Sequence, residues 1–120
     1  MLLITQVSKK SKVPIHLIKM YEKLGLIKGK KRSGTRKETY TYYDLETIER
    51  LEIIEACRTI GMGLADISIF VKGWYGQRIS NSRRLQLLEK QITILQDKAN
   101  QINEIQNKVQ HLKSEISKFV

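Results

Sequence analysis

The sequence has one cysteine, Cys57, so no disulfide can form within the chain and no cysteine-rich metal site can be built. Its two histidines, His16 and His111, stand far apart. With no metal-ligand spacing and no nucleophile–base arrangement, nothing points to an enzyme, a metal or a cofactor. No apolar run is long enough to span a membrane. The start, Met1-Leu-Leu-Ile-Thr5, lacks a charged segment followed by an apolar one, so no secretory signal is expected and the cytoplasm is the expected compartment. Glycine and proline are both missing between Leu85 and Phe119.

What is present is positive charge, unevenly placed. The net charge is +10 over 120 residues, yet Met1–Tyr43 alone holds 11 Lys/Arg against 2 acids. Asp44–Ser80 holds 4 against 6, and Asn81–Val120 holds 7 against 4. Charge gathered on the first third attracts a polyanion, whose counterions are released on binding. Dispersed charge would serve solubility equally well. With 41% apolar residues, the chain has room for one small-cored domain and an appendage.

Local patterning divides the first part into short elements. Leu2–Ile4 reads as a strand stub, and Thr5 as the cap of a first helix with Val7 inside and Lys9-Lys10 outside. That helix must stop before Pro14, which suits the first turn of a second helix. In the second helix Ile15, Ile18 and Leu24 are expected inside, with His16, Lys19 and Lys23 outside, and Gly25 ends it. Two helices joined by a short turn near Lys10–Val13 describe a helix-turn-helix. Leu26-Ile27, the basic loop Lys28–Glu38 and the strand-favouring run Thr39–Tyr43 read as a hairpin with a long basic tip, the shape of a wing. Asp44 is the expected cap of a third helix carrying Ile48, Leu51, Ile54 and Arg58. Gly61 and Gly63 punctuate it before a fourth helix, Leu64–Val71, with Leu64 and Ile67 on its inner face. A loop bounded by Gly73 and Gly76 follows, in which Trp74 is expected to pack onto the last helix. Ser80–Ser82 can cap that helix.

The last helix carries a seam: Leu85, Leu88, Ile92, Leu95, Ala99, Ile102, Ile105, Val109, Leu112 and Ile116, continuing to Phe119. The spacing alternates 3 and 4, with one phase break at Ile102–Ile105, which is a heptad pattern. So narrow a stripe on so long a rod requires a partner helix, most simply from a second copy. The expected architecture is mainly α: a winged helix-turn-helix domain over 1–76 and a dimerising coiled-coil helix over 77–120.

Several segments resemble the MerR family of transcription regulators. In that family the second helix ends Tyr-Tyr-Glu-x-x-Gly-Leu-[Leu/Ile], which Tyr21-Glu22-Lys23-Leu24-Gly25-Leu26-Ile27 is similar to, with Met20 in place of the first tyrosine. Tyr40–Tyr43 resembles the wing strand, Ile48–Leu51 the start of the third helix, and Arg58-Thr-Ile-Gly-Met-Gly-Leu-Ala-Asp-Ile67 the family's Arg-x-[Leu/Ile]-Gly-[Phe/Met]-x-Leu-x-x-Ile. The turn departs by carrying Lys12 where glycine is frequent, and the wing by carrying Thr41 where arginine is frequent.

The resemblance implies a homodimeric, sequence-specific regulator, joined by an antiparallel coiled coil. It would bind and distort a pseudo-palindromic duplex DNA site in a bacterial nucleoid, with RNA polymerase a further partner at the promoter. On that reading the second helix lies in the major groove, with Pro14, His16, Leu17, Lys19 and Tyr21 at the DNA. Lys30, Lys31, Arg36, Lys37, Tyr40 and Thr41 would contact it from the wing, and Arg58 would meet phosphate unless it pairs with Glu55. Cys57 aligns with a small inward position, where a thiol is inert. Most members carry a sensing region after the dimerising helix, or cysteines flanking it. This chain shows neither, so a short form is expected. The competing reading is a small MerR-like protein-interaction module that binds a chaperone partner in place of DNA.

Overall fold

Leu2–Leu3 (β1) leads directly into the first helix, Ile4–Ser11 (α1), and the computed structural model describes residues 1–33, 39–76 and 78–120. Thr5 lies inside α1 and does not cap it. The cap residue is Leu3, two positions earlier, and the Gln6 side chain accepts from the Leu3 N–H at 2.9 Å. Lys12 closes α1 in the left-handed region at φ 62°, its N–H bonded to the Ser8 carbonyl at 2.9 Å. Two serines staple the turn that follows. Ser8 Oγ donates to the Val13 carbonyl at 2.7 Å, and the Val13 N–H donates to Ser11 Oγ at 3.2 Å.

The second helix is Ile15–Lys23 (α2). Pro14 is its cap residue, just outside its first turn, and takes extended geometry with φ −58° and ψ 146°. Ile18 and Tyr21 are fully buried, whereas Ile15 and Leu24 are exposed. At 3.6 residues per turn Leu24 projects about 120° away from Ile18, so the inner face runs through Ile18 and Tyr21 and misses it. Gly25 ends the helix at φ 78°, which turns the chain so that Leu26 and Ile27 drop into the core.

Leu26 and Ile27 are buried but are not strand. The hairpin is Lys30–Ser33 (β2) with Thr39–Tyr43 (β3), antiparallel in the register Lys30↔Tyr42, Lys31↔Thr41, Arg32↔Tyr40 and Ser33↔Thr39. Part of the basic segment expected as loop is therefore strand. Its low strand propensity is tolerated because β2 is an edge, where charge is common. β1 pairs with the other side of β3, giving the order β1-β3-β2. Gly29 lets the chain enter β2, since a Cβ there would collide with the Thr41 side chain and come within 3.0 Å of the Tyr43 ring. Arg36 and Lys37 lie outside the described residues.

The third helix is Glu46–Thr59 (α3), preceded by Leu45. Asp44 does not cap it through its carboxylate; its backbone carbonyl accepts the Thr47 N–H at 3.0 Å. The inner face is Thr47, Leu51, Ile54 and Cys57, with Ile48 half-buried. Gly61 turns the chain into Leu64–Phe70 (α4), of which Ile67 is buried while Leu64 is exposed. Ile60 is exposed as well. Val71 and Met62 complete a core with Val7, Val13 and Tyr43. Each fully buried aliphatic side chain contributes about 1.5–3 kcal/mol. The stretch expected as a loop forms a 3₁₀ turn, Lys72–Tyr75, and Trp74 there lies near the Arg50 guanidinium, 5.9 Å from ring centre to Cζ.

These elements make one compact unit, Met1–Ile79, and Ser80–Val120 is a second. The second is a helix, Asn81–Ser117 (α5), whose N-cap Ser80 accepts the Arg83 N–H at 3.1 Å. Its 37 residues extend about 56 Å at 1.5 Å per residue. The chain is thus mainly helical, a winged helix-turn-helix with one elongated helix. Among the described residues no helix is long and apolar enough to cross a membrane.

Candidate nucleic-acid interface

The outer face of α2 is set by its inner one. With Ile18 and Tyr21 buried, His16, Lys19 and Lys23 fall together on the opposite side and are exposed, while Leu17 is half-buried and Pro14 exposed beside them. Lys12, in the turn, is also exposed. The face offers donors and cations at helical spacing, which suits base edges and phosphates.

Two phenols hold α2 in place. Tyr21 is fully buried, and its hydroxyl donates to Glu55 Oε1 of α3 at 2.6 Å. The next residue, Glu22, accepts at Oε2 from the Tyr43 hydroxyl of β3, also at 2.6 Å. Adjacent residues of one motif therefore tie α2 to the helix behind it and to the wing strand beside it. Burial, and then the carboxylate of Glu55, push the Tyr21 phenol above its ordinary pKa. Burial and Glu22 raise Tyr43 in the same way, so both remain protonated donors. Tyr21, expected at the DNA, thus belongs wholly to the core, where it orients the helix from behind.

Arg58 joins this network. Its Nη1 donates to the Tyr21 hydroxyl at 2.9 Å and lies 3.4 Å from Glu55 Oε1, while its side chain stays 42% exposed. The partners that fix one side of the guanidinium, Tyr21 first and then Glu55, also raise its pKa. The alternative, a pair with Glu55, is thus present, while part of the guanidinium stays exposed next to α2.

Strand alternation sorts the wing residues. Directly paired residues share a face, so Lys30, Arg32, Tyr40 and Tyr42 lie on one side and Lys31, Thr41 and Tyr43 on the other. Tyr43 is buried, Thr41 half-buried and Tyr40 41% exposed. The structure therefore separates Tyr40 from Thr41, and Lys30 from Lys31. It also brings forward Arg32, opposite Tyr40, which by composition belongs to the loop. Alternation counted back from Tyr43 would have found it, had the register been known.

Cys57 is buried, and burial raises its thiol pKa, the condition of an unreactive cysteine. Among the described residues no three His, Cys, Asp or Glu side chains gather where they could hold a metal ion.

Comparison with known proteins agrees with this geometry. Residues 2–73 match the family model described as "MerR HTH family regulatory protein". An uncharacterized HTH-type transcriptional regulator of Bacillus subtilis (strain 168), YyaN, is 25% identical over 114 residues, covering 85% of this chain and 80% of its own. Two solved structures share the fold. PbrR691 from Ralstonia metallidurans CH34, in complex with lead(II), has a TM-score of 0.76 at 21% identity, covering 94% of this chain and 86% of its own. HiNmlR, a MerR family regulator lacking the sensor domain and bound to promoter DNA, has a TM-score of 0.59 at 17% identity, covering 88% and 78%.

Proposed function

Since this chain belongs to the MerR family of DNA-binding transcription regulators, we propose that it works as a homodimer that binds a two-fold-related promoter site, one α2 in each of two major-groove segments and a wing on the flanking backbone. The observation that carries this is the α2 face of His16, Lys19 and Lys23, fixed from behind by Tyr21 and Glu22. Lys30, Arg32 and Tyr40 extend it along one side of the wing. Pro14 and Leu17 approach the bases, and Arg58 meets a phosphate with the part of its guanidinium turned away from Tyr21. Lys31 and Thr41, on the other side of the wing, contribute charge and packing.

Dimerisation follows from α5. Leu85, Ile92, Leu95, Ile102, Ile105, Val109, Leu112 and Ile116 are all exposed, between 46% and 67%. Ala99 is exposed and Leu88 half-buried. An apolar stripe of this length is covered by a second α5, antiparallel as the family resemblance implies. A two-fold dimer then dictates a site with two-fold symmetry. The centre of that site, untouched by either α2, is where untwisting or bending of the duplex would favour flexible sequence. At such a promoter the dimer would meet RNA polymerase.

The test is a titration of the full chain with random-sequence duplex across a salt series. Each phosphate neutralised contributes a slope of about −0.9 in log K against log salt. A dimer with six or more phosphate contacts should lose about a thousandfold in affinity or more between 50 and 200 mM salt. A weak, salt-independent affinity would reject the reading and favour a protein-interaction module.

A further inference from the structure

The root of the wing is held by one phenol. Tyr75, on the 3₁₀ turn, accepts at its hydroxyl from the Lys28 backbone N–H at 2.9 Å and from Arg50 Nη1 of α3 at 2.9 Å. Its ring lies under the same two residues, with Lys28 Nζ 4.9 Å and Arg50 Cζ 4.6 Å from the centroid. Arg50, only 17% exposed at its side chain, is anchored in turn by Glu46 at 3.2 Å. One side chain thus joins three parts of the first unit: the segment entering β2, helix α3 and the 3₁₀ turn.

Two surface hollows border this ring: one of about 250 Å³, lined by Leu26, Ser68 and Val71, among others, and one of about 380 Å³, lined by Gly29, Tyr42 and Asp44, among others. Lys28 itself is exposed, and the hydrogen bond from its amide and the contact of its ammonium with the ring tie it to the 3₁₀ turn. Lys28 stands two residues before β2, and Gly29 between them is pressed against Thr41 and Tyr43. The Lys28 amide therefore acts together with the pairing of β2 to β3 on where Lys30 and Arg32 are presented.

We infer that Tyr75 is a positioning residue for DNA binding: its hydroxyl, shared between Lys28 and Arg50, fixes the wing at the angle from which the Lys30/Arg32 face reaches phosphate. The inference rests on the DNA-binding reading above. It adds a residue that touches no DNA and lies 47 positions from the segment it steers.

Tyr75→Phe removes the shared oxygen and keeps the ring. Lys28 N–H and Arg50 can both turn to water, so the fold should survive while the wing root is released. Two measurements are needed, and each is compared with the unaltered chain. In amide exchange without DNA, Lys28 and the β2 amides should lose about tenfold or more of their protection, while Ile18 and Leu51 keep theirs, as expected for local opening. In the random-duplex salt series, the slope should shrink by about one phosphate equivalent, with affinity reduced several-fold at low salt. Arg50→Lys keeps a cation over the ring but cannot hold Glu46 and Tyr75 together. It should move both readouts the same way, and serves if Tyr75→Phe does not fold. Unchanged Lys28 exchange would overturn the inference, as would an affinity loss with the full slope retained. If the unaltered chain fails to bind duplex, the DNA-binding reading falls, and the exchange measurement alone decides whether Tyr75 holds the wing.

Discussion

Lys12 is the one non-glycine residue with positive φ among the described residues, and it sits in the turn that aims α2. Holding a side chain in the left-handed region costs about 1–2 kcal/mol, because Cβ crowds the following carbonyl. Glycine escapes that cost but loses about 0.4–1 kcal/mol through its freer unfolded chain. Lys12→Gly should therefore stabilise the protein by about 0.5–1 kcal/mol. For a first unit of this size that is a rise in melting temperature of about 2–8 °C. Lys12→Ala is the control. It removes the ammonium but keeps Cβ, and should move the melting temperature little. Thermal melting followed by circular dichroism, at equal protein concentration for all three proteins because association shifts the midpoint, reads both changes. Stabilisation by alanine equal to that by glycine would refute the reasoning, since the effect would then come from lost charge. So would destabilisation by glycine.

Other perturbations follow from the same contacts. Tyr43→Phe removes the bond to Glu22 and should cost about 1.5 kcal/mol, measured by urea unfolding, with α2 the first element to lose amide protection. Thr47 is fully buried and its Oγ1 has no hydrogen-bond partner among the described residues, so Thr47→Val should raise the urea midpoint by the equivalent of about 1 kcal/mol. Tyr21 and Tyr43 bind their protons more tightly folded than unfolded. Stability should therefore hold below about pH 10, where unfolded phenols begin to ionise, and decline as the pH rises beyond it; a urea midpoint that rises through that range would contradict the assignment. Ile105→Glu places a charge in the exposed seam of α5 and should convert a dimer to monomer in sedimentation equilibrium, leaving the circular dichroism of the first unit intact.

The elements were legible where local chemistry decides them. Pro14 and Gly25 bracket α2, the Tyr run marks β3, and an uninterrupted seam after Ser80 marks α5. Boundaries shift where another local group does the work expected of a given side chain. The α1 cap is Leu3, with Gln6 on its N–H, and not Thr5, and the Asp44 carbonyl acts where its carboxylate is expected. Lys30–Ser33 reads as loop by composition and becomes strand only because β3 offers a partner. The outward side of α2 was readable from period alone, although Leu24 and Ile15 were assigned inward by hydrophobicity and are not. What could not be read were contacts between distant residues. Tyr21 with Glu55 and Tyr75 with Lys28 are 34 and 47 positions apart, and no local pattern pairs them. The wing's two faces depended likewise on the register Arg32↔Tyr40, which neither strand encodes by itself.

The central claim is that a two-fold pair of α2 helices reads DNA. It is tested most directly by selecting, from a pool of random duplexes, those that the chain retains at moderate salt, and reading their sequences. The account predicts an inverted repeat whose half-sites face one another across a centre of preferred flexibility, and loss of the preference at half-site positions in Lys19→Ala. Retained sequences without two-fold symmetry would contradict it, as would a pool no richer in any sequence than the one supplied.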